Sequence, residues 1–179
     1  MWPTWAAQLA HDGLSARIIH QAGVTSSHNG GGFLSSPSTA PESYFRRDQA
    51  NGIAAPDLSK LCSFAEHIVK ARGKRTQYTS VSLDLGKIGD FGEADYQLDR
   101  DKATAHSHIV VEHTPLLSEL QRVANSETKE EKLRAVQALR YSRKCKEGLV
   151  QWVFDTSSVA RKDLITWAYH RVQQYFAKV

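Results

Sequence analysis

The sequence has only two cysteines, Cys62 and Cys145, and they lie far apart in the chain. This spacing argues against a disulfide framework, so we expect a fold that depends on its apolar core and suits a reducing compartment. No run approaches the roughly 20 apolar residues that span a bilayer, and the first residues lack the basic region and apolar run of a secretory signal. We therefore predict a soluble protein with no membrane partner. It would work in the cytoplasm, or in a host cell as a secreted effector that has lost its leader.

The composition has neither the low hydrophobicity nor the high charge of a disordered chain. Hydrophobic residues make up 41% of the sequence and charged residues 23%, as in ordinary globular proteins. A length of 179 residues is close to the common size of one domain, and the sequence shows no internal repeat and no linker. We predict a single domain over residues 1–179. Its net charge of +4 favours anionic partners.

The pattern of apolar residues predicts helices and strands in a mixed order. A β-prone run at 14–20 indicates an early strand, and residues 24–56 form a long segment rich in Gly, Ser and Pro. We interpret that segment as a loop, and ordered loops of such length are often functional. A helix is expected from 58 to 69, with Gly73 just after its last turn.

The second half of the chain shows further alternation of strand and helix patterns. Strands are predicted at 76–83, 107–112 and 149–154, and helices at 116–124, 128–148 and 164–176. Thr128 and Glu131 have the spacing of a capping pair at the start of the second helix, and Gly148 is expected to end it. These elements together indicate an α+β domain.

A cluster of histidines invites a metal-site interpretation. His106, His108 and Glu112 would point to one face of a strand, and His113 follows directly. The spacing resembles the first metal-binding motif of cupins, but the flanking glycines and the second histidine motif of that family are missing. We therefore interpret these residues as surface or capping groups and predict no metal site.

A basic cluster lies at the end of the long predicted helix. Arg140, Arg143, Lys144 and Lys146 surround Tyr141 and could follow a phosphate backbone, which makes nucleic acid a candidate partner. The alternative is a solvated helix end, where positive charge interacts favourably with the helix dipole.

Three separated pieces of the sequence come in a meaningful order. Arg17 lies in the early predicted strand, and the long loop that follows contains Gly32-Phe33. A helix comes next, and then a strand with the sequence Tyr78-Thr79-Ser80-Val81-Ser82. This order resembles the ADP-ribosyltransferase fold of bacterial toxins and of related fungal domains. The resemblance implies a single compact α+β domain with a split, mostly antiparallel sheet flanked by helices, and NAD as the substrate.

The resemblance also implies roles for individual residues. Arg17 would hold the phosphates or ribose of NAD, because a guanidinium fork matches phosphate oxygens. Ser80 and Ser82 would shape the nicotinamide pocket, and His20 and Tyr78 would line the same pocket.

The third part of such a site is a glutamate on a late strand. It would bond the ribose 2′-hydroxyl and stabilise the positive charge that grows as nicotinamide departs. Residues 147–155 contain neither Glu-x-Glu nor Gln-x-Glu. Glu147 at the start of this segment and Asp155 at its end are the two candidates, and the choice between them stays open.

Three functions follow from these patterns. The first is an NAD-binding, ADP-ribosyltransferase-like toxin or effector domain that transfers ADP-ribose to a macromolecular target, foremost a protein. The second is a catalytically inactive effector that acts by protein contact, which the missing glutamate pair fits equally well. The third is a basic protein that binds nucleic acid.

Overall fold

The computed structural model describes residues 42–70, 74–88, 92–125 and 128–179. All of these residues belong to one compact unit, Pro41–Val179. The predicted strand at 14–20 and most of the predicted loop at 24–56 lie outside the described residues, so the single domain over 1–179 stays a prediction. In the part that the structure describes, no helix has the length and apolar character needed to cross a membrane.

Within the described residues, six strands form one antiparallel sheet. They are β1 Phe45–Asp48, β2 Tyr78–Ser82, β3 Ala94–Leu98, β4 Ile109–Val111, β5 Glu147–Gln151 and β6 Phe176–Lys178. Their order across the sheet is β4-β5-β2-β1-β3-β6. β2 and β5 pair along their whole length, whereas the described pairing of β1 with β2 is limited to Phe45 opposite Ser82. The ladder of paired residues is therefore shortest between β1 and β2. This narrow junction has three strands on either side.

Five α-helices accompany the described part of the sheet. They are α1 Phe64–Lys70, α2 Arg100–Ala105, α3 His113–Ala124, α4 Lys129–Cys145 and α5 Leu164–Val172. Short 3-10 turns occur at Leu85–Lys87, Arg161–Asp163 and Gln173–Tyr175. The predicted α+β class is confirmed.

One face of the sheet packs against α1, α3 and α4. Leu149 of β5 and Val111 of β4 are fully buried there against Leu116 and Leu120 of α3 and Ala138 of α4. Side chains alternate between the two faces of a strand, so Val150 points to the opposite side. On that opposite side Val150 contributes to a second core cluster, which is covered by segments from both ends of the described chain.

Position 148 needs a glycine because other atoms pack closely against it, and not because a helix ends there. A Cβ atom on Gly148 would lie 2.7 Å from the ring of Tyr44, whose hydroxyl accepts a hydrogen bond from the backbone N–H of His113. The prediction that Gly148 ends the long helix is wrong. α4 ends at Cys145, and Lys146 takes the left-handed conformation with φ 47°.

Several other sequence predictions are corrected by the structure. β1 lies inside the predicted loop at 24–56, and β3 and α2 were not predicted. The helix expected from 58 begins at Phe64, and the helix expected to reach 176 ends at Val172, with Phe176 starting β6. Thr128 donates to the Glu131 side chain but makes no backbone capping bond. The short strands were not predicted because pairing with strands that are remote in the chain stabilises them, and their own sequences carry little signal.

Candidate functional site

Ser80 and Glu147 come together on the face of the sheet that α1, α3 and α4 cover. Ser82 lies opposite Glu147 in the ladder between β2 and β5. Ser80 is two residues earlier in β2, so its side chain lies on the same face of the sheet. The Ser80 hydroxyl is close enough to the Glu147 carboxyl to lower its pKa. Ser142 of α4 donates a hydrogen bond to this carboxylate, with its Oγ 3.1 Å from Glu147 Oε2. Hydroxyls from two different elements thus lie beside Glu147.

The Glu147 side chain is well shielded from water, with 9% of the residue exposed. Burial raises the pKa of its carboxyl, and the hydroxyls of Ser80 and Ser142 and the positive charge of Arg46 only partly oppose that rise. The protonated form is therefore easier to reach at Glu147 than at an exposed glutamate.

Arg46 of β1 reaches the same place across the narrow junction between β1 and β2. Its Nε donates to Asp48 Oδ2 at 2.7 Å, and its Nη1 donates to the Ser80 carbonyl oxygen at 2.8 Å. These bonds use only part of the guanidinium's donors, and a quarter of the side chain is exposed. Arg46 is thus held in place with N–H groups left over for an anion.

His67 of α1 completes the cluster. Its Nε2 lies 3.0 Å from Ser80 Oγ and its Nδ1 lies 2.7 Å from Thr76 Oγ1. Burial, assisted by the charge of Arg46, lowers the pKa of His67 to about 4. The imidazole is therefore neutral at physiological pH.

Tyr78 and Ser82 make packing and hydrogen-bond contacts that stabilise the fold. The Tyr78 ring packs edge-on against Phe64 and His67, and burial raises the pKa of its hydroxyl to about 12. Ser82 Oγ donates to the Cys145 carbonyl, which ties the end of β2 to the end of α4. Both side chains help to hold the residues around Ser80 in place. Neither forms a described hydrogen bond with the Glu147 side chain.

Asp155 lies apart from this cluster. It is exposed beyond the end of β5, and its Oδ1 accepts the backbone N–H of Ser157 at 3.0 Å. Bonds from Ser157 hold the pKa of Asp155 below its usual value. Of the two candidate carboxylates, the structure places Glu147 beside Ser80. Arg17 and His20 lie outside the described residues.

The histidines that suggested a metal site are separated. His106 follows α2 and bonds the Tyr175 hydroxyl at 2.9 Å, while Glu112 pairs with Arg100. His108 is 4% exposed and packs among aromatic rings. Among the described residues no group of His, Cys, Asp and Glu is arranged to hold a metal ion.

The basic cluster lies on the surface of α4 and just beyond it. Arg140, Arg143 and Lys144 are exposed, and they form no ion pair with other described residues. The Lys146 Nζ atom lies 3.8 Å from Asp84 Oδ2. Tyr141 is 43% exposed beside them.

Three residues of the cluster were missed in the sequence. Arg46 stood in a segment interpreted as a loop, His67 in an amphipathic helix, and Ser142 in a helix with a charged exterior. Nothing local distinguishes them from other arginines, histidines and serines. Only the pairing of distant strands and the packing of α1 and α4 bring them to Glu147.

No protein-family model matches this chain, and neither does any curated protein or solved structure. Its function therefore has to be inferred from the chemistry of the cluster itself.

Proposed function

We propose that this chain is an NAD-binding, ADP-ribosyltransferase-like toxin or effector domain that transfers ADP-ribose to a macromolecular target. One observation carries the proposal: Arg46 of β1 donates to the backbone carbonyl of Ser80 in β2, and β2 pairs with the strand that contains Glu147, so that all three residues lie in one neighbourhood. An arginine, a hydroxyl and a glutamate from three strands are the residue types that the sequence resemblance implies. The narrow junction of β1 and β2 also fits the split sheet of that resemblance.

Glu147 is assigned the catalytic role. In its ionised form it would accept a hydrogen bond from the ribose 2′-hydroxyl and stabilise the positive charge that develops on the sugar. The bond between ribose and nicotinamide breaks, its electron pair leaves with nicotinamide, and a nucleophile of the target bonds to the sugar carbon and releases its proton to water. The hydrogen bond from Ser142 keeps the carboxylate oriented throughout.

Arg46 is assigned the task of holding a phosphate of NAD. Its bonds to Asp48 and to the Ser80 carbonyl fix the guanidinium before a ligand arrives, so little entropy is lost on binding. Arg17 remains the candidate that the sequence resemblance named for this task, and both arginines are tested together.

Calorimetric titration with NAD tests the site directly. We expect saturable binding by the wild-type chain and about 10- to 100-fold weaker binding by Arg46→Ala, because charge-assisted hydrogen bonds to a phosphate are lost. Arg17→Ala is titrated alongside. Arg122→Ala is the matched control, since Arg122 lies on α3 in an exposed pair with Glu119 and should bind NAD normally.

The outcomes separate the candidate functions. Absence of saturable NAD binding by the folded wild-type chain would refute the proposal. NAD binding without nicotinamide release would favour the alternative of a catalytically inactive effector that acts by protein contact. Thermal melting of each variant shows whether weak binding reflects unfolding.

Nucleic-acid binding is a second candidate, favoured by the exposed cations of α4. Removing Arg140, Arg143 and Lys144 together by alanine substitution should lower the slope of log affinity against log salt by about three units, since each cation contacts one phosphate. Fluorescence anisotropy with a labelled oligonucleotide measures this. The exposed pair Arg161 and Lys162 provides the alanine control. An unchanged slope in the triple variant would contradict binding through α4.

A further inference from the structure

The turn that follows β1, residues 49–53, is held by side chains from distant parts of the fold. The Gln49 carbonyl accepts a hydrogen bond from the Tyr96 hydroxyl of β3 at 2.7 Å. Three further carbonyls of the turn accept hydrogen bonds from side chains of α5 and of the residues after it. The pairs are Lys178 Nζ with Ala50 at 3.2 Å, the Tyr169 hydroxyl with Asn51 at 2.8 Å, and Gln173 Nε2 with Ile53 at 2.8 Å. The segment 169–178 thus fastens this turn.

Gln173, the first residue after α5, bonds both backbone groups of Ile53. Its Oε1 accepts the Ile53 N–H at 2.8 Å, and its Nε2 donates to the carbonyls of Ile53 at 2.8 Å and Tyr169 at 3.0 Å. The oxygen and both hydrogens of the amide are therefore engaged. Gly52 permits this approach, because a Cβ atom there would lie 2.3 Å from Gln173 Oε1, and its φ of 137° suits glycine. The turn therefore fits closely around the Gln173 amide.

Asp48 connects the 49–53 turn to Arg46. Its Oδ1 accepts the backbone N–H of Gln49 at 2.9 Å, and its Oδ2 accepts that of Ala54 at 3.0 Å. The same Oδ2 accepts a hydrogen bond from Arg46 Nε at 2.7 Å. Asp48 is buried, so water is poorly placed to replace these bonds. The backbone at the two ends of the turn therefore orients the carboxylate that in turn orients the Arg46 guanidinium.

We propose that Gln173 is a positioning residue for Arg46: it fixes the 49–53 turn, and the turn orients Arg46 through Asp48. A guanidinium that is already oriented loses less conformational freedom when it binds a phosphate. The consequence for NAD binding rests on the proposed function, but the orientation of Arg46 in the free chain does not.

Gln173→Glu tests the proposal with little change of shape. A glutamate carboxylate has no N–H, so both hydrogen bonds from Nε2 are lost and negative charge faces the carbonyls of Ile53 and Tyr169. Gln174→Glu makes the same change of charge at the next residue, which is exposed, and is the matched control. Gln173→Met keeps the length of the side chain without charge, and it replaces Gln173→Glu if that variant does not fold.

Nuclear magnetic resonance of the full-length chain without NAD tests the orientation of Arg46. In Gln173→Glu we expect the Arg46 Nε–H signal to shift and its proton to exchange with solvent about 3- to 10-fold faster. Gln174→Glu should leave this signal unchanged. The Nε–H of Arg47, which bonds Asp95 Oδ1 at 2.7 Å, should keep its signal in every variant. An unchanged Arg46 signal in the folded Gln173 variant, or equal changes at Arg46 and Arg47, would overturn the proposal.

Calorimetric titration with NAD then tests the consequence for the site. We expect Gln173→Glu to bind NAD about 3- to 10-fold more weakly than Gln174→Glu, because a loosened guanidinium must be ordered on binding. In the Arg46→Ala background the same substitution should cause no further loss, since its effect passes through Arg46. Unchanged binding in Gln173→Glu, or a further loss in the Arg46→Ala background, would overturn the proposal. If the wild-type chain binds no NAD, the proposed function fails, and the resonance experiment still decides whether Gln173 positions Arg46.

Discussion

Replacing Glu147 with glutamine is expected to lower nicotinamide release by about 100- to 1000-fold while NAD still binds. Glutamine has the same shape and can still accept the hydrogen bond from Ser142 through its carbonyl oxygen. It carries no charge, so it cannot stabilise the positive sugar in the transition state. The measurement is a nicotinamide-release assay, with calorimetry to show that NAD affinity is retained.

The fold should tolerate this substitution. Burial raises the pKa of the Glu147 carboxyl, so the native structure gains little from holding a charge there. We expect the melting temperature of Glu147→Gln to equal or exceed that of the wild-type chain.

Asp155→Asn is the matched control for Glu147→Gln. Asp155 is the other carboxylate that the sequence allowed, and it is exposed outside the cluster. Its substitution should leave nicotinamide release unchanged. The opposite pattern, with activity lost in Asp155→Asn and kept in Glu147→Gln, would overturn the assignment of the catalytic carboxylate.

Replacing Trp152 with alanine is expected to reduce the free energy of unfolding by about 3–5 kcal/mol. Trp152 follows β5 and is 4% exposed. Its ring lies 5.0 Å from that of His108 and 5.2 Å from that of Tyr175, and its Nε1 donates to Thr79 Oγ1 at 2.8 Å. Alanine leaves a cavity in the core and removes the donor that Thr79 faces. Urea unfolding measures the loss.

Val153→Ala is the matched control for Trp152→Ala. Val153 is the next residue and is 47% exposed, so we expect its substitution to change the unfolding free energy by about 0.5 kcal/mol or less. A loss below about 1 kcal/mol in Trp152→Ala would contradict the packing of this cluster.

The longest helices and the strands of one half of the sheet, β4, β5 and β2, could be predicted from local patterns. The apolar spacing of Leu116 and Leu120 marks α3, and the β-branched triplet Ile109–Val111 coincides with β4. β2 lies within the predicted segment at 76–83, and β5 overlaps the segment predicted at 149–154. These elements bury a continuous stripe or face, so their sequences carry the periodicity of the structure.

The strands of the other half of the sheet could not be predicted in this way. β1 consists of Phe45-Arg46-Arg47-Asp48, and β6 contains only Phe176–Lys178. Such short, charged or edge segments have no periodicity of their own. β1 is held by four residue pairs with β3, and β6 by three, and those pairings join residues remote in the chain.

The sequence alone was enough to predict the α+β class, because that class depends on periodicity within single elements. Ser80 and the two candidates Glu147 and Asp155 came from the resemblance to ADP-ribosyltransferases. Only the tertiary structure shows that Glu147 lies on the strand paired with that of Ser80, whereas Asp155 lies apart and exposed. It also brings Arg46, His67 and Ser142 to the same neighbourhood. Their meeting depends on strand register, on the narrow junction beside β2 and on the helices packed over it. Hydrogen bonds reach only about 3 Å, so a site of this kind exists only after elements distant in the chain have docked.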